Sequence, residues 1–82
     1  MDVERGSFVW DLEKERVNIH KHGIDFSRAS EVFRDPNCRI FLDSRHSWHE
    51  DRFFCIGKVE EDVLTVRFTY RENKIRIIGA GI

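Results

Sequence analysis

The sequence predicts an α+β domain in which two helices precede most of an antiparallel sheet. Three observations carry that reading. Apolar residues recur at helical spacing between Asp11 and Pro36, and from Cys38 onward the period changes to two. Short polar pairs, Glu61-Asp62 and Glu72-Asn73, then separate runs rich in Val, Ile, Phe and Thr, as hairpin turns do. A chain of 82 residues is one domain, 1–82, with one modest core.

The elements follow in order. Phe8-Val9-Trp10 is a short apolar run and a first strand. Asp11 can cap a helix, with Glu13 in the first turn where the helix dipole favours negative charge. That helix runs to about His22, and Gly23 stops it in the left-handed conformation. Asn18, Lys21 and His22 share one of its faces. Asp25 can cap a second helix, in which Phe26, Ala29, Val32 and Phe33 form an apolar stripe. Asp35-Pro36 ends it, because a residue before proline avoids helical angles. Cys38 to Asp43 alternates as a strand, Ser44 to Glu50 is a polar loop, and Arg52–Val59, Val63–Arg71 and Lys74–Ile78 are three more strands. The expected order is β-α-α-β-β-β-β, with the helices packed on one face of a twisted antiparallel sheet.

Composition narrows the class. At 40% hydrophobic and 35% charged, the chain is globular rather than disordered. A net charge of -1 gives a polyanion no general reason to bind, so only a local patch can supply one. Cys38 and Cys55 sit in apolar-alternating runs and read as small buried hydrophobes in a reducing compartment. No run approaches membrane-spanning length and no apolar leader stands at the start, so the expectation is a cytoplasmic protein with no membrane partner.

Two-residue turns dictate a strand register. In the last hairpin Arg71 faces Lys74, Thr69 faces Arg76 and Phe68 faces Ile77. In the one before, Cys55 faces Phe68, Phe53 faces Tyr70 and Arg52 faces Arg71. The apolar side chains then agree on one face, which a one-residue slip would turn outward. The opposite face carries Arg52, Arg71 and Lys74 in one row, with Arg76 and Thr69 in the next. Like charges across strands repel, so something must offset them: Glu50, solvent or a bound polyanion. Two readings compete for this face, a solvated salt-bridged surface and a phosphate-binding one.

Of the four histidines, His20 and His22 diverge by about 200° around the helix and cannot easily share an ion, and His46 and His49 lie in a loop. No metal site or cofactor is expected. His22 adjoins Lys21, and an imidazole is the side chain suited to proton transfer at neutral pH. Cations together with one titratable imidazole are what metal-free RNA cleavage requires.

Several segments together resemble the BrnT family of toxins. Phe8-Val9-Trp10-Asp11, Asn18 with Lys21-His22-Gly23, and Phe26, Ala29, Val32-Phe33 and Asp35-Pro36 look like its N-terminal half. Glu50-Asp51-Arg52, Ile56-Gly57, Thr69, Arg71 and Ile75-Arg76-Ile77-Ile78 look like its C-terminal half. The resemblance implies a RelE-like fold and a ribonuclease toxin of a type II toxin–antitoxin system that inhibits translation. It also implies a BrnA-like ribbon-helix-helix antitoxin as partner, RNA as substrate, and operator DNA reached only through the antitoxin. Carried onto this chain, the family's functional positions fall on Lys21, His22, Arg71 and Arg76. Arg52, Arg67, Lys74, Glu50 and Trp10 are the supporting RNA contacts.

One departure is visible. The family usually continues past the last strand into a basic helix, whereas this sequence reads Gly79-Ala80-Gly81-Ile82 and ends. The expectation that follows is an exposed last strand through which two copies can pair. The alternative function is a non-catalytic module whose basic face and open edge grip an antitoxin or another protein.

Overall fold

A computed structural model describes residues 1–82. Six strands and two helices follow one another as β1 (Asp2–Arg5), β2 (Phe8–Asp11), α1 (Leu12–His22), α2 (Phe26–Ser30), β3 (Arg39–Leu42), β4 (Arg52–Val59), β5 (Asp62–Arg71) and β6 (Lys74–Gly81). A 3-10 turn, Glu31–Arg34, extends α2. The strands form one sheet in the order β1-β2-β6-β5-β4-β3. The sheet is mixed rather than antiparallel, because β2 runs parallel to β6.

That arrangement corrects two expectations. The polar stretch Asp2–Arg5 is a strand, paired with β2 across a Gly6-Ser7 turn in which Gly6 has φ 60. Its side chains are mostly exposed, so it lacks the apolar alternation by which a strand is recognised. And β6 lies inside the sheet, between β5 and β2, with β2 pairing over Ile75–Ile77, so the last strand is not an edge strand. The free edges are β1 and β3.

The local signals of α1 hold. The Asp11 carboxylate accepts from the Lys14 N–H at 3.0 Å, and Gly23, at φ 71, ends the helix with its N–H on the Ile19 carbonyl. α1 is nonetheless held by a polar residue. Asn18, its one buried member, donates to the Ile24 carbonyl and accepts the Ala80 N–H of β6, each at 3.0 Å. α1 thus runs beside β6 beyond the point where β2 has stopped pairing.

The core is built by α2 and its 3-10 extension. Phe26, Ala29 and Val32 are fully buried with Cys55, Leu64, Val66, Phe68 and Ile77 of the sheet. Burial pushes the Cys55 thiol up to about 12, as expected of a structural rather than reactive cysteine. Gly57 permits the close approach of this layer, since a Cβ there would lie 2.9 Å from both the Val32 Cγ1 and the Cys38 Cβ.

The last hairpin has the expected register, Arg71 with Lys74 and Thr69 with Arg76, around a turn in which Glu72 and Asn73 both take positive φ. The β4–β5 hairpin differs. It turns at Glu60-Glu61, one residue earlier than the sequence suggested, so Phe53 faces Phe68, Cys55 faces Val66 and Arg52 faces Thr69. The shift of two in pairing keeps every side chain on its expected face, which is why face assignment survives while the partners change.

Candidate functional site

The corrected register sets the geometry of the cationic face. Arg52, Thr69 and Arg76 lie side by side across β4, β5 and β6, and Arg71 and Lys74 form the next row. Arg52, Arg71 and Arg76 line one cavity of about 250 Å³, together with Asp2, Asp11 and Lys14. It therefore meets the beginning of α1, not its end.

Acidic residues offset each cation. The Arg71 guanidinium straddles Glu50, with Nη2 at 3.0 and 2.8 Å from the two carboxylate oxygens, and Arg52 approaches the same group at 4.0 Å. Hydrogen bonding from Arg71, helped by its charge and that of Arg52, holds the Glu50 carboxyl below the usual carboxylate range. Arg76 donates two bonds to Asp2, at 3.1 and 2.7 Å, while its Nε is buried without a partner. The bond from Arg76 lowers the Asp2 carboxyl, and the same bond raises the guanidinium. Lys74 Nζ sits 3.6 Å from Glu4. Two of the three neutralising acids thus come from β1, the strand that sequence patterning missed.

Beside this cavity lies a second, about 240 Å³, lined by Arg45, His46, Trp48, His49, Glu50 and Arg52. Arg52 and Glu50 connect it to the first site. Its wall is a loop organised on Asp43, which is buried to 7% side-chain exposure. The Asp43 carboxylate meets His46 Nδ1 at 2.8 Å and accepts the Arg45 N–H at 3.3 Å. The Ser47 hydroxyl donates to the Asp43 carbonyl at 2.6 Å and accepts the Arg52 N–H at 2.9 Å, which closes the loop. A carboxylate on Nδ1 favours the tautomer that leaves Nε2 free to take a proton. His46 is the functional candidate that sequence reasoning passed over. Its signal was present in Asp43-Ser44-Arg45-His46, a three-residue spacing that brings carboxylate and imidazole together in a turn.

The other expected residues separate from this centre. Lys21 and His22 are exposed, and His22 Nδ1 lies 3.9 Å from where a Cβ on Gly81 would be. Gly81 is five residues along β6 from Arg76, about 16 Å away. Neither residue lines the two cavities. Arg67 lies between, its guanidinium so close across Gly79 that a Cβ there would meet its Nη2 at 2.5 Å. Trp10 requires a correction. It is 2% exposed, set edge-on to Phe26 with ring centres 6.1 Å apart, and its indole N–H donates to Glu15 at 3.2 Å. A ring so placed belongs to the core and cannot stack on a base.

A larger hollow, about 580 Å³, lies between the β1–β2 turn and α2. Two of its cations are committed, Arg28 to Glu60 and Asp62 and Arg5 to the Ser27 hydroxyl, and no histidine lines it. No group of three or more His, Cys, Asp or Glu comes together as a ligand set. No helix is long and apolar enough to cross a membrane.

A family model described as the ribonuclease toxin BrnT of type II toxin–antitoxin systems matches residues 10–81. The chain belongs to the BrnT family. No protein of curated function matches the sequence. BrnT membership makes the chain a ribonuclease toxin by family, with an antitoxin as partner and RNA as target. The BrnT match takes in α1, the Asp43 loop and β3 to β6, whereas β1, with Asp2 and Glu4, lies outside it.

Proposed function

We propose that the outer face of β4, β5 and β6, together with the Asp43–Arg52 loop, cleaves RNA without a metal by attack of a ribose 2′-hydroxyl on the adjacent phosphorus. The hydroxyl oxygen forms the new P–O bond as the P–O5′ bond breaks, giving a cyclic phosphate and a 5′-hydroxyl end. Charge then builds on the phosphoryl oxygens, and positioned donors that meet it supply the largest catalytic effect. Arg71, Arg76 and Arg52 around one cavity are the donors, and Glu50 fixes the direction of Arg71. The single observation that carries this reading is that triple convergence beside an imidazole oriented by a buried carboxylate.

His46 or Glu50 moves the proton. His46 is favoured because its Nδ1 is held and its Nε2 free. Lys21, His22, Arg67 and Lys74 serve the chain on either side of the cleaved bond. Arg67 across Gly79 and His22 near Gly81 extend a line along β6 that suits further phosphates. The partner is a BrnA-like ribbon-helix-helix antitoxin that itself contacts operator DNA. The setting is the cytoplasm, where the RNA targets are, the fold is RelE-like, and the outcome is arrested translation and growth.

Incubating the purified chain with total RNA in EDTA tests this. Cleavage leaving 2′,3′-cyclic phosphate ends, abolished by Arg71→Ala, is the expected result; undiminished cleavage by that variant overturns the assignment. A second reading, a non-catalytic module that grips the antitoxin, draws on the exposed apolar residues Ile40, Phe41 and Leu42 along the free edge of β3. Tight antitoxin binding with no cleavage would favour it.

A further inference from the structure

Trp48 has no place in the fold. It is 85% exposed, more than any Phe, Tyr or other Trp in the chain, although the loop that carries it is tied down at Asp43, Ser47 and Arg52. The indole is therefore displayed by a structured segment. It stands two residues before Glu50, the carboxylate that directs Arg71, and shares its cavity with Arg45, His46, His49 and Arg52.

From this placement, and resting on the RNA reading above, we infer that Trp48 is a stacking platform for one unpaired base next to the cleaved phosphate, and so selects single-stranded RNA. Base-on-aromatic stacking is tolerant of sequence because every base has a π face, and a base inside a duplex has no free face to offer. Arg45 and Arg52 line the same cavity as the indole and can meet the backbone of a stacked nucleotide, and Arg52 also lines the phosphate cavity. The surroundings favour a nucleotide over a protein partner. Trp48 is the only hydrophobic residue lining that cavity, whereas aromatic anchors of protein interfaces sit within desolvated apolar patches.

The chain is suited to a direct test, since of its two tryptophans Trp10 is buried and only Trp48 can meet a ligand. The probe is a 2′-O-methyl oligonucleotide, which lacks the attacking hydroxyl and cannot be cut by this chemistry, used as a single strand and as a duplex. The single strand should quench tryptophan emission and the duplex should not. Trp48→Ala, melting like the parent protein because the side chain is exposed, should lose the quench and bind the single strand at least about tenfold more weakly. Trp48→Phe should recover most of that affinity. If Trp48→Ala binds the single strand as the parent does while Arg71→Ala does not, the platform is refuted and the cationic site stands. If the parent binds neither oligonucleotide, the RNA reading falls and the platform with it. Quenching by the antitoxin but not by the single strand would assign Trp48 to the protein interface instead.

Discussion

Asp2 and Arg76, 74 positions apart in sequence, meet in a two-bond ion pair of 3.1 and 2.7 Å at the edge of the cationic cavity. A strand with little apolar content is thereby joined to the most enclosed cation of the site, whose side chain is only 18% exposed. The pair answers the question raised by adjacent like charges on β5 and β6: acidic residues of β1 and of the Asp43 loop neutralise them in the free protein. A polyanion must compete with those carboxylates.

Removing the competitor should strengthen binding. Asp2→Asn frees Arg76 for phosphate, so affinity for an uncleavable single strand should rise. The slope of log K against log salt should steepen by about 0.7, one additional phosphate contact on a single strand. A salt titration of the variant beside its parent measures this, and an unchanged slope would mean that Arg76 never reaches the strand.

Glu50 directs Arg71, and its role shows in pH. Its folded carboxyl lies below the ordinary value because Arg71 bonds to the ionised form. The stabilisation is therefore full above the unfolded carboxyl value, about 4.3, and is lost as pH falls through the lowered folded value. Cleavage should keep an oriented Arg71 down to that acid range. Glu50→Gln should lower kcat at least about tenfold, while stability falls by less than about 1 kcal/mol because the pair is partly exposed. Kinetics and a urea melt on the same variant separate the two effects.

His46, the proposed proton carrier, and His22, the one expected from sequence, predict different losses. His46→Ala should lower cleavage by about 10²–10⁴-fold, the usual range for a general acid or base. Asp43→Asn should also slow cleavage, since it removes the carboxylate that sets the imidazole tautomer. His22→Ala, beyond both cavities, should cost less than about tenfold and act mainly on KM. Equal losses at His22 and His46 would return the proton transfer to the end of α1.

Packing at Gly57 offers a prediction independent of function. A methyl group there meets the Val32 Cγ1 and the Cys38 Cβ at 2.9 Å, closer than carbon atoms pack. Gly57→Ala should destabilise the fold by about 1–3 kcal/mol, the usual cost of overpacking. Thermal melting should fall by about 4–8 °C for each kcal/mol.

Much of this was legible in sequence because it rests on neighbours. Asp11 and Gly23 bound α1 through backbone conformations that those residues favour, and Glu72-Asn73 closes the last hairpin for a similar reason. Alternation set the buried face of β4, β5 and β6, and with it the face that carries Arg52, Arg71 and Arg76. The family resemblance rested on the same short-range spacing.

Only the tertiary structure decided which of these residues meet. The parallel pairing of β2 with Ile75–Ile77 puts β6 inside the sheet rather than at its edge, and it brings in β1, whose Asp2 and Glu4 face Arg76 and Lys74. A two-residue change of pairing sets Arg52 level with Arg76, and a buried Asn18 lays α1 along β6 so that Lys21 and His22 finish at its far end. Such contacts join residues far apart in the chain and are settled by the packing of whole elements. Periodicity says which way a side chain points, but the partner it finds depends on which strand lies beside it.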